Sequence, residues 1–307
     1  MDNLCHSLIG MAASRAGLNK RTALATSTLV IASNLPDIDA AVFATDTLAM
    51  SFRRGWTHGV LALATLPLVL TGAMLLYDRY RSRRSGQPAI GSSGQPVRPG
   101  QILLLSYIGV LLHVFMDLMN SYGVRLLMPF SERWFYGDAL YIVDPWLYLT
   151  LGLGWFLART NPRPARIGVT VAAIYVLVML ASTFVARREV AAGLARGGRP
   201  ADTRFMVTPV VVNPFRREVV IDMDDRYEKG NLWFDPRPHF RPAGFGMEKG
   251  WNDPSVQPAL QLPLARAFLR WSRFPFVQVN PAERSIWIND YRYANAGPYG
   301  WSAVRLR

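Results

Sequence analysis

The residues from Ile167 to Ala186, IGVTVAAIYVLVMLASTFVA, run without a charged side chain. At a rise of about 1.5 Å per residue, such a run is long enough to cross the roughly 30 Å hydrocarbon core of a bilayer as one helix. Gly59 to Leu76, GVLALATLPLVLTGAMLL, is equally free of charge. Pro67 falls inside it, and neighbouring helices can satisfy the backbone group a proline frees. Gln101 to Asn120 and Ala139 to Ala158 carry few polar groups and read as two further spans. Two shorter apolar stretches, Leu4 to Leu18 and Thr22 to Pro36, are expected to form a helical hairpin that turns at Asn19-Lys20-Arg21 and enters the bilayer only partly.

Composition agrees with a membrane protein: of 307 residues, 50% are hydrophobic and only 18% charged. The formal net charge of +13 would suit nucleic acid in a soluble chain, but the basic residues are dispersed and no groove-reading motif is present, so no nucleic acid partner is expected. Many of them sit in three loops: Lys20 and Arg21, then Arg79 to Arg98, then Arg159 to Arg166. If the helices alternate in direction these loops share one side, which the positive-inside rule makes cytoplasmic, while Arg53, Arg54, Arg125 and Arg133 stand on the other. The expected location is therefore a membrane, crossed several times. No internal repeat of spans is visible, which argues against a transporter. The single cysteine, Cys5, excludes an intrachain disulfide framework and a Cys-rich zinc module. No basic segment followed by an apolar run and a cleavage site opens the chain, so no removable signal peptide is expected.

Arg81 to Gly100, rich in Arg, Ser, Gly, Gln and Pro, reads as a flexible loop. After Ala186 the pattern changes. Arg196 to Pro200 reads as a linker, and short β-rich runs follow at Arg204 to Val212, Glu218 to Met223, Phe274 to Val279 and Ser285 to Ile288. Two domains are expected: a membrane-embedded helical domain over 1–190, and a small extramembrane, mostly β domain over 191–307.

Three of the four histidines lie in the first 117 residues, each within a short distinctive motif. His6 opens the first helix. Asp37 and Asp39 follow the helix-ending Pro36. His58 stands at the start of a span after Arg53 and Arg54, and His113 and Asp117 are one helical turn apart near the end of the next. Under the topology above, all of these reach the extracytoplasmic end of the bundle, where the C-terminal domain is also expected. Ionisable groups are costly in a bilayer and tend to face an interior or an aqueous cavity. Three imidazoles and three carboxylates are enough ligands for a two-metal cluster, with zinc the first candidate and manganese or iron the others. Such a cluster activates water and clamps a phosphoryl group, and Arg53 and Arg54 would add charge for an anionic substrate. Taken singly, each motif also has a plain structural reading, as a helix end, an Asx turn or a hydrogen-bonded pair. His239, in a Pro-rich stretch, reads as a surface-loop residue.

Taken in order, Asn3-Leu4-Cys5-His6-Ser7, Asn34-Leu35-Pro36-Asp37-Ile38-Asp39, Arg54-Gly55-Trp56-Thr57-His58 and His113-Val114-Phe115-Met116-Asp117-Leu118-Met119-Asn120-Ser121-Tyr122-Gly123 resemble the YdjM family of inner-membrane proteins. That family is described as membrane-bound metal-dependent hydrolases, and the resemblance covers about residues 1 to 190. It is distantly similar to zinc-dependent phospholipase C and the P1-type nucleases, which implies a helical core of that kind. It also implies that His6, Asp37, His58, His113 and Asp117 ligate metal directly, with Asp117 bridging two ions and Asp37 a ligand or general base. Two departures stand out. Those enzymes use a free N-terminal residue as a ligand, whereas this chain begins Met1-Asp2, and they draw on a later histidine motif, for which the nearest carboxylates here are Asp138 and Asp144. The expected function is hydrolysis of phosphoesters, with lipid headgroups as one substrate class. The alternative is a non-catalytic membrane anchor whose C-terminal domain binds lipid or protein.

Overall fold

The computed structural model describes residues 1–44, 52–296 and 302–306. The chain divides into two compact units, Met1–Ala41 with Arg53–Ala181, and Val42–Phe52 with Ser182–Arg307.

The first unit is helical. It contains α1 (Asn3–Arg15), α2 (Ala25–Ala32), a 3-10 stretch at Leu35–Ala44, α3 (Val60–Ser85), α4 (Pro99–Leu118), α5 (Pro145–Leu157) and the first part of α6 (Arg163–Arg196). Among the described residues α3, α4 and α6 are long and apolar enough to cross a membrane. The span expected over Ala139 to Ala158 is not formed as such. Its helix starts only at Pro145 and has 13 residues, about 20 Å at 1.5 Å per residue, too short for the hydrocarbon core. Asp144 sets that start, accepting hydrogen bonds from the backbone N–H groups of Trp146 (3.1 Å) and Leu147 (3.3 Å). The residues before it are drawn against the end of α4, where the N–H groups of Ala139 and Leu140 donate to Met119 O at 2.8 and 3.0 Å. The loop expected to be flexible over 81–100 is held at its far end: Gln95 Nε2 donates to Asn19 O (2.8 Å) and the Arg98 N–H to Thr22 Oγ1 (2.8 Å).

Small residues let the helices approach closely, the usual basis of packing where lipid supplies no hydrophobic drive. A Cβ on Gly10 would lie 3.0 Å from Leu29 O, and one on Gly109 would lie 2.4 Å from Ala32 Cβ. The second crossing seats the end of α2, including Ser33, against the face of α4 that carries His113 one turn further on.

The second unit holds a four-stranded antiparallel sheet, β1 (Phe205–Pro209), β2 (Arg216–Asp222), β3 (Arg226–Asp235) and β4 (Arg237–Glu248), and a three-stranded sheet, β5 (Pro275–Asn280), β6 (Ser285–Asp290) and β7 (Ala303–Leu306). Val207, Val219, Ile221 and Leu232 pack on Ala186, Val190 and Leu194 of α6. The four expected strands are present with their ends moved by a few residues. β3 and β4 were not expected, because Pro238, Pro242, Gly244 and Gly246 punctuate β4 like a loop. Their pairing instead accommodates a register shift between Glu228 and Gly230. His239 is therefore a strand residue, not a loop residue: it lies opposite Trp233, with ring centroids 5.6 Å apart.

Asp290 closes the second sheet's end. Its carboxylate, fully buried, accepts from Arg292 Nε and Nη2 (both 2.9 Å), the Arg273 N–H (2.9 Å) and the Ser272 hydroxyl (2.5 Å). Burial alone would raise its pKa, but Arg292 and these hydrogen bonds hold it below the usual carboxylate range. A depressed folded-state pKa contributes stability above the ordinary carboxylate value, and that contribution is lost as pH falls through the depressed value.

Asp290→Asn is expected to cost about 3–5 kcal/mol, the penalty for leaving a buried cation unpaired, and to flatten the acid limb of a pH series of thermal melts in detergent. Gly109→Leu is expected to push α2 off α4 and lower the melting temperature, with a simultaneous loss of metal retention because Ser33 moves with α2; unchanged melting would contradict the close crossing.

Candidate metal centre

Four segments converge on Asp117. His113 and Asp117 occupy one face of α4, a turn apart, and both are buried. His6, on the first turn of α1, stacks on His113 with centroids 3.8 Å apart. Asp37 lies early in the 3-10 stretch, its N–H bonded to Asn34 O at 3.1 Å. His58 sits in the tight turn that precedes α3, its N–H donating to Gly55 O at 3.0 Å. That turn explains the glycines on either side of Trp56-Thr57-His58. A Cβ on Gly55 would lie 2.6 Å from Arg125 Nη2, and one on Gly59 would lie 2.5 Å from Met128 O.

Side-chain atoms of Asp37, His58, His113 and Asp117 lie within 4.8 Å of one another, and all four residues are buried. Asp117 Oδ2 is 3.4 Å from His58 Nε2 and 3.6 Å from His113 Nε2. Asp37 Oδ1 is 4.0 Å from each of the same nitrogens. Asp117 Oδ1 faces the other way, 3.3 Å from His6 Nε2 and in hydrogen-bonding contact with the Met1 amino nitrogen.

The hydrogen bonds on the far sides of the rings decide which nitrogens are basic. His113 Nδ1–H donates to Ser33 O at 2.7 Å. The Thr57 hydroxyl donates to Asp39 Oδ2 at 2.9 Å, which leaves Thr57 Oγ1 to accept from His58 Nδ1–H, also at 2.9 Å. Both rings thus turn Nε2 inward, and the two Nε2 atoms lie 3.2 Å apart. A carbonyl or carboxylate-linked partner on Nδ1 with Nε2 turned inward is the arrangement that orients metal-binding histidines. Buried polar atoms without hydrogen bonds point the same way: both ring nitrogens of His6, and Asp117 Oδ2. Burial holds the His6 imidazole below its ordinary pKa, which favours the uncharged ring. An imidazole and carboxylate set of this kind fits a divalent metal ion.

Not every residue singled out in the sequence stands in this group. Asp39, expected as a ligand, has its oxygens committed elsewhere: Oδ2 accepts from the Arg54 N–H (2.7 Å) and Thr57, and Oδ1 faces Arg53 Nε at 3.4 Å. It orients His58 instead. Arg54, expected to meet substrate, is buried. Its Nε is 3.2 Å from Asp117 Oδ2, its Nη1 donates to Asn120 Oδ1 (3.3 Å) and Gly123 O (3.4 Å), and the guanidinium lies 4.6 Å over the Tyr122 ring. Arg53 keeps 20% of its side chain exposed and lies 3.4 Å from Asp37 Oδ1. Asp144 is used as a helix cap and bonds Tyr175 Oη at 2.9 Å, and Asp138 lies outside the group. Ser33, Thr57, Asn120 and Tyr122 were not singled out. Three of them lie inside the motifs already quoted, but Ser33 acts through its carbonyl, which every residue type offers.

Membrane-crossing helices around a buried His/Asp cluster define a membrane protein with a candidate metal centre. The chain belongs to the YdjM inner membrane protein family, whose model matches residues 1–188. It is 22% identical over 150 residues to the uncharacterized protein YfhP of Bacillus subtilis (strain 168), an alignment that covers 48% of this chain and 39% of that one. The chain thus spans well under half the length of that relative. No solved structure matches it.

Thr57→Val is expected to leave the fold intact and to weaken divalent metal binding by about 10–100-fold, the usual cost of removing an orienting partner. Competition against a chromophoric chelator measures this; wild-type affinity in the variant would remove Asp39 and Thr57 from the site.

Proposed function

We propose that the protein is a metal-dependent hydrolase of the inner membrane acting on phosphoesters, with lipid headgroups as the substrate class. The observation that carries this reading is the pair of inward-facing Nε2 atoms of His58 and His113, set beside the carboxylates of Asp37 and Asp117. Asp117 would hold metal from the centre of the group, since Oδ2 faces His58 and His113 while Oδ1 faces His6. Zinc fits the donor set best, with manganese or iron the other candidates. When bound, such ions lower the pKa of water and balance the charge that develops on a phosphoryl group.

The chain's own residues do the rest. Asp37, 4.0 Å from both inward nitrogens, takes one proton of the attacking water as the water oxygen bonds to phosphorus, and the alkoxide released when the ester P–O bond breaks takes up that proton and leaves as the alcohol. The partly exposed Arg53 neutralises the incoming phosphoryl oxygens, and Arg54 stays behind Asp117 as a fixed counter-charge. A lipid substrate is favoured by an apolar cavity of about 280 Å³ lined by Ile9, Phe115, Met116, Leu151 and Val176, of which Met116 is next in sequence to Asp117. The arginines at the end of α3 and around the start of α6 argue for a cytoplasmic side opposite the cluster, and so for an extracytoplasmic site and C-terminal unit.

The test is elemental analysis of protein purified in detergent, followed by phosphodiester and phospholipid turnover. Wild type is expected to hold about two divalent ions per chain, and His58→Ala with His113→Ala to lose them. His58→Ala alone is expected to abolish turnover with its melting temperature retained. Full activity in His58→Ala would refute the hydrolase, while absence of metal after reconstitution would favour the anchor reading, in which Arg54 and Asp117 form a purely structural ion pair.

A further inference from the structure

The end of α6 provides a depth marker for the second unit. Its uncharged run stops at Ala186, and Arg187 and Arg188 follow, where the helix leaves the hydrocarbon. Ser182, one turn before that point, accepts a hydrogen bond from Arg217 Nη2 at the start of β2. The other end of β2 lies beyond the helix. The Asp222 N–H bonds Arg204 O at 2.8 Å, and Arg199 is 3.8 Å from Glu228, the β3 partner of Ile221. β2 therefore runs outward from the level of Ser182, and the turn that precedes it lies at the Ser182 end of the sheet.

That turn carries apolar side chains in the open. Val211 is 40% exposed, Val212 58% and Phe215 66%. Val212 is held at φ 68°, a costly conformation for a β-branched residue. The rim is aromatic and basic: Arg216 lies over the Trp233 ring at 5.7 Å and pairs with it across the strands, and Phe215 O accepts from the Phe234 N–H at 2.9 Å. An apolar tip collared by tryptophan and arginine is the chemistry of a segment seated at the boundary between acyl chains and headgroups.

We propose that the β1–β2 turn, Val210 to Phe215, inserts into the bilayer interface beside the end of α6, so that the second unit is tied to the membrane at two points. The inference is independent of the hydrolase reading.

The test places an environment-sensitive fluorophore on Val212→Cys, Phe215→Cys or Asp225→Cys in the full chain, reconstituted in vesicles of equal parts phosphatidylcholine and phosphatidylglycerol. Native Cys5 stays unlabelled, because it is buried and burial pushes its thiol up to about 12. Probes at 212 and 215 are expected to emit at shorter wavelength, to be quenched by lipid carrying a shallow nitroxide, and to be shielded from aqueous iodide. The probe at 225, at the opposite end of β2, is expected to show the reverse. Melting temperatures equal to that of wild type confirm that each variant is folded. Iodide quenching at 212 and 215 equal to that at 225, with no effect of the nitroxide, would overturn the proposal and leave the turn as a surface for another protein.

Discussion

The carboxylate of Asp117 is the constraint around which the first unit is organised. A fully buried carboxylate needs a counter-charge and polar partners, and here they come from separate parts of the chain: the charge from Arg54 in the turn before α3, and ring contacts from His6 on α1, His58 in the same turn and His113 on its own helix. Each partner fixes the end of one element. The short helices α1 and α2, which could not span a bilayer and would be marginal alone, are held because His6 and the Ser33 carbonyl are needed at this point.

The cluster also divides labour between groups that face one another and groups that hold them. His58 and His113 present the same nitrogen inward because Thr57, Asp39 and Ser33 occupy the other one. Arg54 contributes charge without exposure, and Arg53 contributes charge with it. Two adjacent arginines that read alike in sequence thus do different work, since the left-handed backbone at Arg54 turns the two side chains apart.

The second unit rests on a different kind of contact. Its larger sheet buries aliphatic side chains on the last turns of α6, while Arg217 reaches back along the helix to Ser182.

Much of this was legible in the residues themselves. Uncharged runs of membrane length determined α3 and α6, since no other structure satisfies a backbone in hydrocarbon. The spacing of His113 and Asp117 determined that they share a face, and the alternation at 218–223 and 274–279 determined strands. The span over 139–158 was misjudged because hydropathy does not register the cap that Asp144 makes or the bridges that tie Leu140 to α4. β4 was missed because proline and glycine mark a loop in sequence yet are tolerated on an irregular strand. Only the tertiary structure decided that Asp39 orients rather than faces the cluster, that Arg54 is buried, and that a backbone carbonyl sets the tautomer of His113. The physical reason is that a side chain's role depends on which of its atoms are already hydrogen-bonded, and those partners lie tens of residues away along the chain.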